Sequence, residues 1–373
     1  MANRNATHGV VRYAVVGQGY IAQAAVLPAF AHARRNSRLA ALVSGDATKR
    51  RELGRMYGVD LTYSYEEYED CVRSGEVDAV YIALPNSQHR EYAVRAAKAG
   101  VHVLCEKPLA VDEQECLQMI AAARQSRVKL MTAYRLHFEQ ATLSALEKVA
   151  KGEIGDPRLF VSSFTLDVKP PNIRLDAELG GGTLYDIGIY CINAARHLFR
   201  AEPIEAFAMR AARPQQRFSQ VEESVSAILR FPAERLATFT TSFGADKTSE
   251  YNIIGTAGSL RVDPAYDLAD GLEHHVSHGK KTRHIRFDKR DQFAPELLYF
   301  SDCVLEDREP EPSGEEGLAD VRVIRALYRS ARLGRPVKLE ARRLMRRPTL
   351  EQSIKRPPVR RMPPLVHATP PGG

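Results

Sequence analysis

A short apolar run followed at once by a glycine-rich turn and a helix constrains the fold more than any other feature. Val11–Val16 ends at Gly17, and the next residues read Gly-Gln-Gly-Tyr-Ile-Ala, which fits the pattern G-x-G-x-x-[G/A]. The first glycine allows a tight turn, the second lets the backbone approach a diphosphate, and Ala22 keeps the helix close to the strand. Because the helix N-terminus would face the diphosphate, the predicted contacts are Gly17, Gly19, Tyr20 and Ile21.

The order of predicted elements changes along the chain. Up to residue 133, apolar strands alternate with helices, which is typical of a parallel sheet covered on both faces. After about residue 155 the pattern indicates an open antiparallel sheet, with strands at Arg158–Val168, Ile204–Ala212, Ser224–Phe231, Leu236–Phe243 and Glu250–Ile254 and helices at Gly182–Phe199, Pro295–Leu305 and Glu315–Leu333.

We therefore predict an α/β plus α+β fold in three parts. Residues 1–133 form an NAD(P)-binding Rossmann domain, and residues 134–340 form a substrate-binding and oligomerisation domain with an open, mostly antiparallel sheet. Residues 341–373 form a basic, proline-rich C-terminal tail.

The net charge of +7 lies entirely in that tail, where eight basic residues face the single acid Glu351. Residues 1–340 are therefore neutral, which argues against nucleic acid as a partner because a binding surface would need basic residues over the folded body. The tail could bind phosphates, extend into solvent, or pack as an arm on a neighbouring subunit.

Cysteine usage and hydropathy restrict the compartment. The five cysteines are odd in number and form no C-x-x-C pair, which argues against a disulfide framework and a zinc site, so no metal is predicted. No run of eighteen apolar residues and no secretory signal is present. We expect a cytoplasmic protein without a membrane partner.

The end of the second strand distinguishes the two nicotinamide cofactors. An NAD site usually ends this strand with an acid that bonds the ribose hydroxyls. Here the strand ends at Ser44, and Lys49 and Arg50 follow closely, a set that suits a 2′-phosphate. Asp46 comes two residues late but could still reach the ribose. The sequence favours NADP, with NAD as the alternative.

Two further segments carry groups suited to proton transfer. Glu106-Lys107-Pro108 follows a parallel strand, at the edge where ligands of such sheets bind. Residues 180–182 are three glycines that would let the backbone approach a ligand. Asp186 and Tyr190 follow them four residues apart, on one helix face. A helix cap and a buried tyrosine, or an ordinary surface lysine, would explain the same patterns without a function.

Together these segments resemble the glucose–fructose oxidoreductase and inositol dehydrogenase family, Gfo/Idh/MocA, from about residue 11 to 339. The resemblance is to the glucose–fructose oxidoreductase branch above all, and it rests on the Gly17 fingerprint, Leu84-Pro85-Asn86-Ser87-Gln88-His89, Glu106-Lys107-Pro108, Tyr134-Arg135, Gly180-Gly181-Gly182 with Asp186 and Tyr190, and residues 312–317.

The resemblance implies roles for these residues. Lys107 would contact the nicotinamide and the reacting hydroxyl, Asp186 would orient the substrate, and Tyr190 would be the general acid and base. The implied cofactor contacts are Ser44, Lys49, Tyr65, Pro85, Asn86, His89, Glu106, Lys107 and Arg135. The implied substrate contacts are Lys107, Arg174, Asp186 and Tyr190.

A tyrosine base carries a physical requirement. A free phenol has a pKa of about 10, and a neighbouring ammonium group favours the phenolate. We therefore expect Lys107 and Tyr190 to converge on one substrate oxygen. The implied activity is oxidation of an aldose at C1, or reduction of a ketose or lactone, with NADP. Dehydrogenation of an inositol or another polyol or diol with NAD, and a non-catalytic NAD(P)H-binding regulator, are the alternatives.

The expected assembly is a homodimer or a homotetramer. Members of the branch carry an N-terminal segment that helps to hold the cofactor and join subunits, and this sequence has a basic C-terminal tail instead. A dimer that covers the open sheet face to face is therefore the better expectation.

Overall fold

The computed structural model describes residues 9–213, 216–268, 270–340, 346–359 and 363–371. Contacts group the chain into two compact units. The first unit comprises Met1–Arg135, Asp291–Leu318 and Lys355–Pro370, and the second comprises Leu136–Arg290, Ala319–Ile354 and Pro371–Gly373. Parts of the predicted basic tail, residues 341–345, 360–362 and 372–373, lie outside the described residues, and the division at residues 133 and 340 stays a prediction.

The first unit contains a parallel sheet of six strands. Their bounds are β1 Val11–Val16, β2 Ser37–Val43, β3 Leu61–Tyr63, β4 Ala79–Ile82, β5 His102–Glu106 and β6 Leu130–Ala133. The spatial order is β3-β2-β1-β4-β5-β6, so the order reverses between β1 and β4. Ligands of doubly wound sheets bind outside the carboxyl ends of the strands at this reversal. The predicted Rossmann fold is confirmed.

Helices alternate with these strands, as the apolar periodicity predicts. They are α1 Leu27–Ala29, which continues a π-helical turn at Ala22–Val26, α2 Ala47–Tyr57, α3 Tyr68–Arg73, α4 His89–Lys98 and α5 Glu113–Ser126. Capping fixes their starts: Asp46 accepts hydrogen bonds from two amides of α2, and Asp112 accepts one from α5. Gly58, with φ of 65°, ends α2 in the left-handed conformation.

The second unit contains a sheet of nine strands. In the order β14-β13-β12-β11-β7-β10-β9-β8-β15, only the pair β7 and β10 is parallel. The bounds are β7 Pro157–Asp167, β8 Glu205–Ala211, β9 Ser224–Phe231, β10 Arg235–Ser242, β11 Gly244–Gly255, β12 Gly258–Val262, β13 Leu272–His278, β14 Lys281–Phe287 and β15 Val337–Lys338. The mostly antiparallel sheet is confirmed. The hairpin of β13 and β14 was not predicted, because its histidines and basic residues hide the apolar alternation.

Helices cover one face of this sheet. They include α6 Gln140–Ala150, α7 Ile189–Phe199 and most of α9 Gly314–Leu333, whereas α8 Ala294–Leu305 belongs to the first unit and packs on β1 and β2. Alternate residues of β9 are buried and exposed, as expected when only one face is covered. The other face exposes large apolar side chains, at Leu159, Val161, Met209, Ile228 and Leu236.

Buried ion pairs tie α7 to the later part of the chain. The guanidinium of Arg196 is fully buried and donates to Asp320 and to Glu202. Arg347 donates to the other carboxylate oxygen of Glu202 at 2.9 Å. A buried charge left without its partner is strongly destabilising, so the four residues are expected to act as a unit.

Two further observations concern the chain as a whole. All five cysteines are free thiols with buried side chains. Among the described residues, none of the helices has the length and apolar character needed to cross a lipid bilayer.

His274 on β13 should make stability depend on pH. Its side chain is fully buried beside Phe287, and burial lowers its pKa from 6.5 to about 4. The unfolded chain therefore binds a proton below pH 6.5 while the folded chain stays neutral until about pH 4. This removes up to about 3 kcal/mol of stability as the pH falls through that window.

We expect His274→Phe to flatten the loss of stability between pH 6.5 and 4 in urea unfolding followed by circular dichroism. His278→Gln, at an exposed position of the same strand, is the matched control and should follow the wild-type curve. Identical slopes for His274→Phe and the wild type would contradict the assignment.

Candidate active site

The turn after β1 has no room for a side chain at its first glycine. Gly17 has φ of 89°, and a Cβ there would lie 2.6 Å from the carbonyl oxygen of Ala83. Its amide donates to the Val43 carbonyl at 3.0 Å, while the amide of Ala83 donates to Val16 at 2.8 Å. The turn is therefore held against the ends of both neighbouring strands.

Gly19 is different, because it borders open space. A Cβ at Gly19 would meet no described protein atom within 4 Å, and its φ lies outside the left-handed region. The amide of Gln23 donates to the Gly19 carbonyl and closes the first helical turn. Amides at a helix start lack partners within the helix, so this opening suits a diphosphate, as the fingerprint predicts.

The end of β2 gathers the predicted adenosine contacts. The hydroxyl of Ser44 accepts from the Asp46 amide at 3.2 Å, and Arg50 donates to the Ser44 carbonyl. Asp46 Oδ1 caps α2, accepting from the amides of Thr48 and Lys49 at 2.8 and 3.1 Å. One oxygen of the carboxylate that could reach a ribose is therefore occupied by its own helix.

Tyr65 forms the wall beside this strand end. A Cβ at Gly45 would lie 3.1 Å from the Tyr65 ring, and that ring meets Tyr92 edge to face at 5.8 Å. Two aromatic rings next to a glycine form a surface on which an adenine could lie. The role of Tyr65 in adenine binding stays a prediction.

His89 joins the loops that follow β4 and β5. Its fully buried ring places one nitrogen 2.9 Å from the Leu84 carbonyl oxygen and the other 2.9 Å from that of Pro108. Burial lowers the pKa of His89. The histidine thus holds Leu84-Pro85-Asn86 against Lys107-Pro108, whose peptide bond is cis. The contacts of Pro85, Asn86, Lys107 and His89 with a cofactor stay predictions.

Two acids, the half-buried Glu106 and the fully buried Glu296, lie near each other at the Glu-Lys-Pro turn. Glu106 accepts from the Tyr81 hydroxyl at 2.8 Å and from the Lys107 amide at 3.2 Å, and burial raises its pKa. Glu296 on α8 is fully buried, and burial followed by the charge of Glu106 raises its pKa well above the usual range. Arg135, the predicted phosphate contact, is buried and donates to the amide oxygen of Gln292.

In the second unit, the three glycines approach the protein's own backbone. The amides of Gly181 and Gly182 donate to the carbonyls of Asp176 and Arg174 at 2.8 and 3.0 Å. A Cβ at Gly181 would lie 2.5 Å from the Arg174 carbonyl oxygen. The glycines were predicted to make room for a ligand, whereas here they bring the Arg174 segment close to the next helix.

The segment around Arg174 places the guanidinium of this residue beside Asp186. Arg174 Nε donates to Asp186 Oδ2 at 2.6 Å, and the two side chains are 24% and 20% exposed, so solvent or a ligand can still reach the pair. Asn172 Oδ1 accepts from the Arg174 amide at 3.1 Å and fixes the turn. Arg174 therefore holds the predicted substrate-orienting carboxylate.

Asp186 and Tyr190 lie about one turn apart on the same helix face, and both are partly exposed. They lie on a π-helical turn, Leu184–Gly188, and on the start of α7, among residues that are otherwise buried from Gly182 to Asn193. The Tyr190 ring lies 5.7 Å from Phe164 and 5.8 Å from Tyr266. π-Helical turns recur at functional sites, and this one presents a carboxylate and a phenol together.

Sequence reasoning missed several residues near these groups. Glu296 lies in an apolar helical run, where its isolated charge was the available signal, and Gln292 lies just before that helix. Gln23 looked like an ordinary helix residue, although its side chain is only 1% exposed. Lys107 belongs to the first unit and Asp186 with Tyr190 to the second, and the convergence of Lys107 and Tyr190 stays a prediction.

Comparison with known families assigns both parts of the chain. Residues 11–134 match the family model described as "Oxidoreductase family, NAD-binding Rossmann fold", and residues 142–261 match the "GFO/IDH/MocA C-terminal domain". The chain belongs to the Gfo/Idh/MocA oxidoreductase family. The predicted family is confirmed, and the chain is an oxidoreductase.

The family members most similar to it include sugar dehydrogenases. D-xylose 1-dehydrogenase [NADP(+)] of Haloarcula marismortui is 34% identical over 90% of this chain and 95% of its own. D-xylose 1-dehydrogenase (NADP(+)) 2 of Haloferax volcanii is 30% identical over 88% of this chain and 99% of its own. These relatives confirm the predicted class of sugar oxidoreductase and the predicted choice of NADP.

Solved structures of the family agree with the fold. The aldose–aldose oxidoreductase of Caulobacter crescentus, complexed with glycerol, is 38% identical with a TM-score of 0.85, covering 88% of this chain and all of its own. KijD10, a 3-ketoreductase of Actinomadura kijaniata with NADP and TDP-benzene, is 28% identical with a TM-score of 0.78, covering 86% of this chain and 98% of its own.

The two glycines of the fingerprint should respond differently to alanine. Gly17→Ala should lower the free energy of unfolding by at least about 1–2 kcal/mol, because alanine resists the left-handed conformation and its Cβ would meet the Ala83 carbonyl. Gly19→Ala should change stability by less than about 0.5 kcal/mol, yet weaken NADPH binding roughly tenfold or more by filling the space for the diphosphate.

Urea unfolding and NADPH fluorescence titration measure the two effects separately. Gly152→Ala, at a positive-φ glycine of the second unit with no neighbour within 4 Å of its Cβ, controls for conformational strain alone. NADPH binding that survives Gly19→Ala unchanged would contradict the assignment of the diphosphate site.

Proposed function

We propose that the chain is an NADP-dependent oxidoreductase that oxidises an aldose at C1, or reduces a ketose or lactone in the reverse direction. The observation that carries the proposal is that Asp186 and Tyr190 share one accessible helix face. Arg174 holds the Asp186 carboxylate there, with its Nε 2.6 Å from Oδ2. Similarity to two NADP-dependent xylose dehydrogenases and to an aldose–aldose oxidoreductase supports the substrate class.

The residues suit NADP as the cofactor. Gly19 borders open space where a diphosphate fits, and Ser44 and Lys49 supply a hydroxyl and a cation for a 2′-phosphate. Pro85, Asn86 and Lys107 would line the nicotinamide half. When bound, the cofactor supplies the hydride acceptor or donor; the protein contributes orientation and proton transfer.

In the proposed mechanism, Tyr190 takes the proton from the sugar hydroxyl during oxidation and returns it during reduction. Asp186 accepts a hydrogen bond from a neighbouring hydroxyl and so orients the ring, while Arg174 keeps the carboxylate in place. The ammonium group of Lys107 stabilises the negative charge that develops on the reacting oxygen, which favours transfer of its proton to the phenolate.

Removing the phenol oxygen tests this role. Tyr190→Phe keeps the ring that packs on Phe164 and Tyr266 but removes the proton acceptor, so kcat for an aldose with NADP should fall about 10²–10⁴-fold. KM for the sugar should change far less. The readout is absorbance of reduced nicotinamide, first with a panel of aldoses including D-xylose and D-glucose, and with inositol to test the alternative substrate.

Tyr185→Phe removes the corresponding phenol oxygen five residues earlier, at a buried tyrosine whose hydroxyl accepts from Arg325, and should leave kcat near the wild-type value. Lys107→Met should also lower kcat at neutral pH. Full turnover by either Tyr190→Phe or Lys107→Met would contradict the proposed chemistry, and inertness of the wild type towards all sugars would favour the regulator.

We also propose that the chain forms a homodimer or a homotetramer through the uncovered face of the nine-stranded sheet. Leu159 and Val161 on β7 and Ile228 on β9 are each more than 40% exposed, and these strands flank β10, where Leu236 is also exposed. Such a contiguous apolar patch favours association. The buried free thiols of all five cysteines agree with a reducing compartment, so we propose a cytoplasmic enzyme.

Native mass spectrometry tests the assembly. The wild type should appear at two or four times the chain mass, and Val161→Lys should shift it to the monomer because a lysine ammonium would be buried in an apolar contact. Leu117→Lys, equally exposed on α5, is the control and should leave the mass unchanged. A monomeric wild type would contradict this proposal.

A further inference from the structure

The C-terminal segment returns to the nucleotide-binding turn of the first unit. The side-chain amide of Gln23 donates to the Val366 carbonyl at 2.8 Å, and the Val366 amide donates back to Gln23 Oε1 at 2.8 Å. Gln23 is 1% exposed and Val366 is 7% exposed. This paired contact is built from buried groups one turn after the fingerprint glycines, so the segment has a defined position there.

The next residue reaches the end of β2. His367 Nδ1 lies 2.7 Å from Asp46 Oδ2, and the His367 side chain keeps 62% of its surface exposed. Its backbone has φ of 45°, a left-handed conformation that is uncommon outside glycine. The surrounding contacts therefore fix the turn that directs this ring towards Asp46.

Asp46 occupies a position that governs the choice of cofactor. An acid after the second strand normally bonds the ribose hydroxyls of NAD and repels the 2′-phosphate of NADP. Here Oδ1 of Asp46 caps α2 and Oδ2 faces His367. The hydrogen bond from His367, followed by those from the Lys49 and Thr48 amides, lowers the pKa of Asp46, so the acid remains ionised and paired.

We propose that the C-terminal segment 363–368 is part of the NADP site, in which His367 offsets the charge of Asp46 and adds a cation for the 2′-phosphate. A protonated His367 would join Lys49 and Arg50 as a third cation around this one acid. The inference rests on the proposed use of NADP. The two matched family models, residues 11–134 and 142–261, do not include this segment.

Binding of nucleotides without turnover tests the inference. The probes are NADPH, NADH and 2′,5′-ADP, titrated by calorimetry with the full chain at low salt and at a pH near 6.5. His367→Ala should weaken NADPH and 2′,5′-ADP roughly tenfold, as expected for loss of one charge-assisted contact. NADH should bind as before, because it lacks the phosphate.

A second substitution separates the two parts of the proposal. Asn is as good a helix cap as Asp, so Asp46→Asn removes the charge and keeps α2 capped. In the double variant Asp46→Asn with His367→Ala, NADPH affinity should recover at least partly relative to His367→Ala alone. Val366→Pro, which removes the amide that donates to Gln23, should reproduce the selective loss, and Thr369→Ala, at an exposed position two residues beyond His367, should bind like the wild type.

The possible results are distinct. An equal loss of affinity for NADPH and NADH would show that the segment only supports the fold. Tighter binding of both nucleotides after His367→Ala would show that the segment blocks the site. Either result would overturn the inference, as would unchanged binding of all three probes. A wild-type chain that binds neither NADPH nor 2′,5′-ADP would instead overturn the proposed function.

Discussion

The structure of the first unit depends on the absence of a side chain at Gly17. The Ala83 carbonyl oxygen lies 2.6 Å from where a Cβ would lie, so only glycine lets β1 turn at this point. The ends of β2 and β4 can then hydrogen-bond to the turn from both sides. Everything proposed for the cofactor follows from this approach. Gly19 then borders open space, the strand ends carry Ser44 and Lys107 at the same edge of the sheet, and the helix that follows directs Gln23 towards the returning C-terminus.

Much of this organisation could be predicted from the sequence because it depends on periodicity. Alternating apolar runs and helices indicate the parallel sheet, and the glycine spacing indicates where its ligand lies. The β13–β14 hairpin escaped prediction because polar cross-strand pairs, such as His275 with His284, carry no apolar signal. The sequence points to the Gly180–Gly182 segment but not to the reason that it needs glycines. That reason is the pair of hydrogen bonds to the carbonyls of Arg174 and Asp176, which form only once the chain is folded.

The candidate site shows the same limit. Asp186 and Tyr190 were predicted from a four-residue spacing, and their position on the open line of a buried helix agrees with a joint role. Arg174 was expected to contact the substrate, and in the structure it donates a hydrogen bond to Asp186. Partners that lie far apart in sequence, such as His367 and Asp46, separated by 321 residues, leave no local pattern, since a proline-rich tail has no periodicity that would point to its destination.

The outer strand of the second sheet has a consequence for how copies can meet. A strand at a sheet edge offers unpaired backbone groups that invite another strand. β14 carries Lys281, Arg283 and Arg286 as exposed side chains along this edge. A second copy adding its own β14 in line would place like charges opposite each other, so open-ended polymerisation through this strand is disfavoured. The exposed apolar face is the route that the proposed assembly would use, and an isologous contact through it would close after two copies instead of continuing as a fibre.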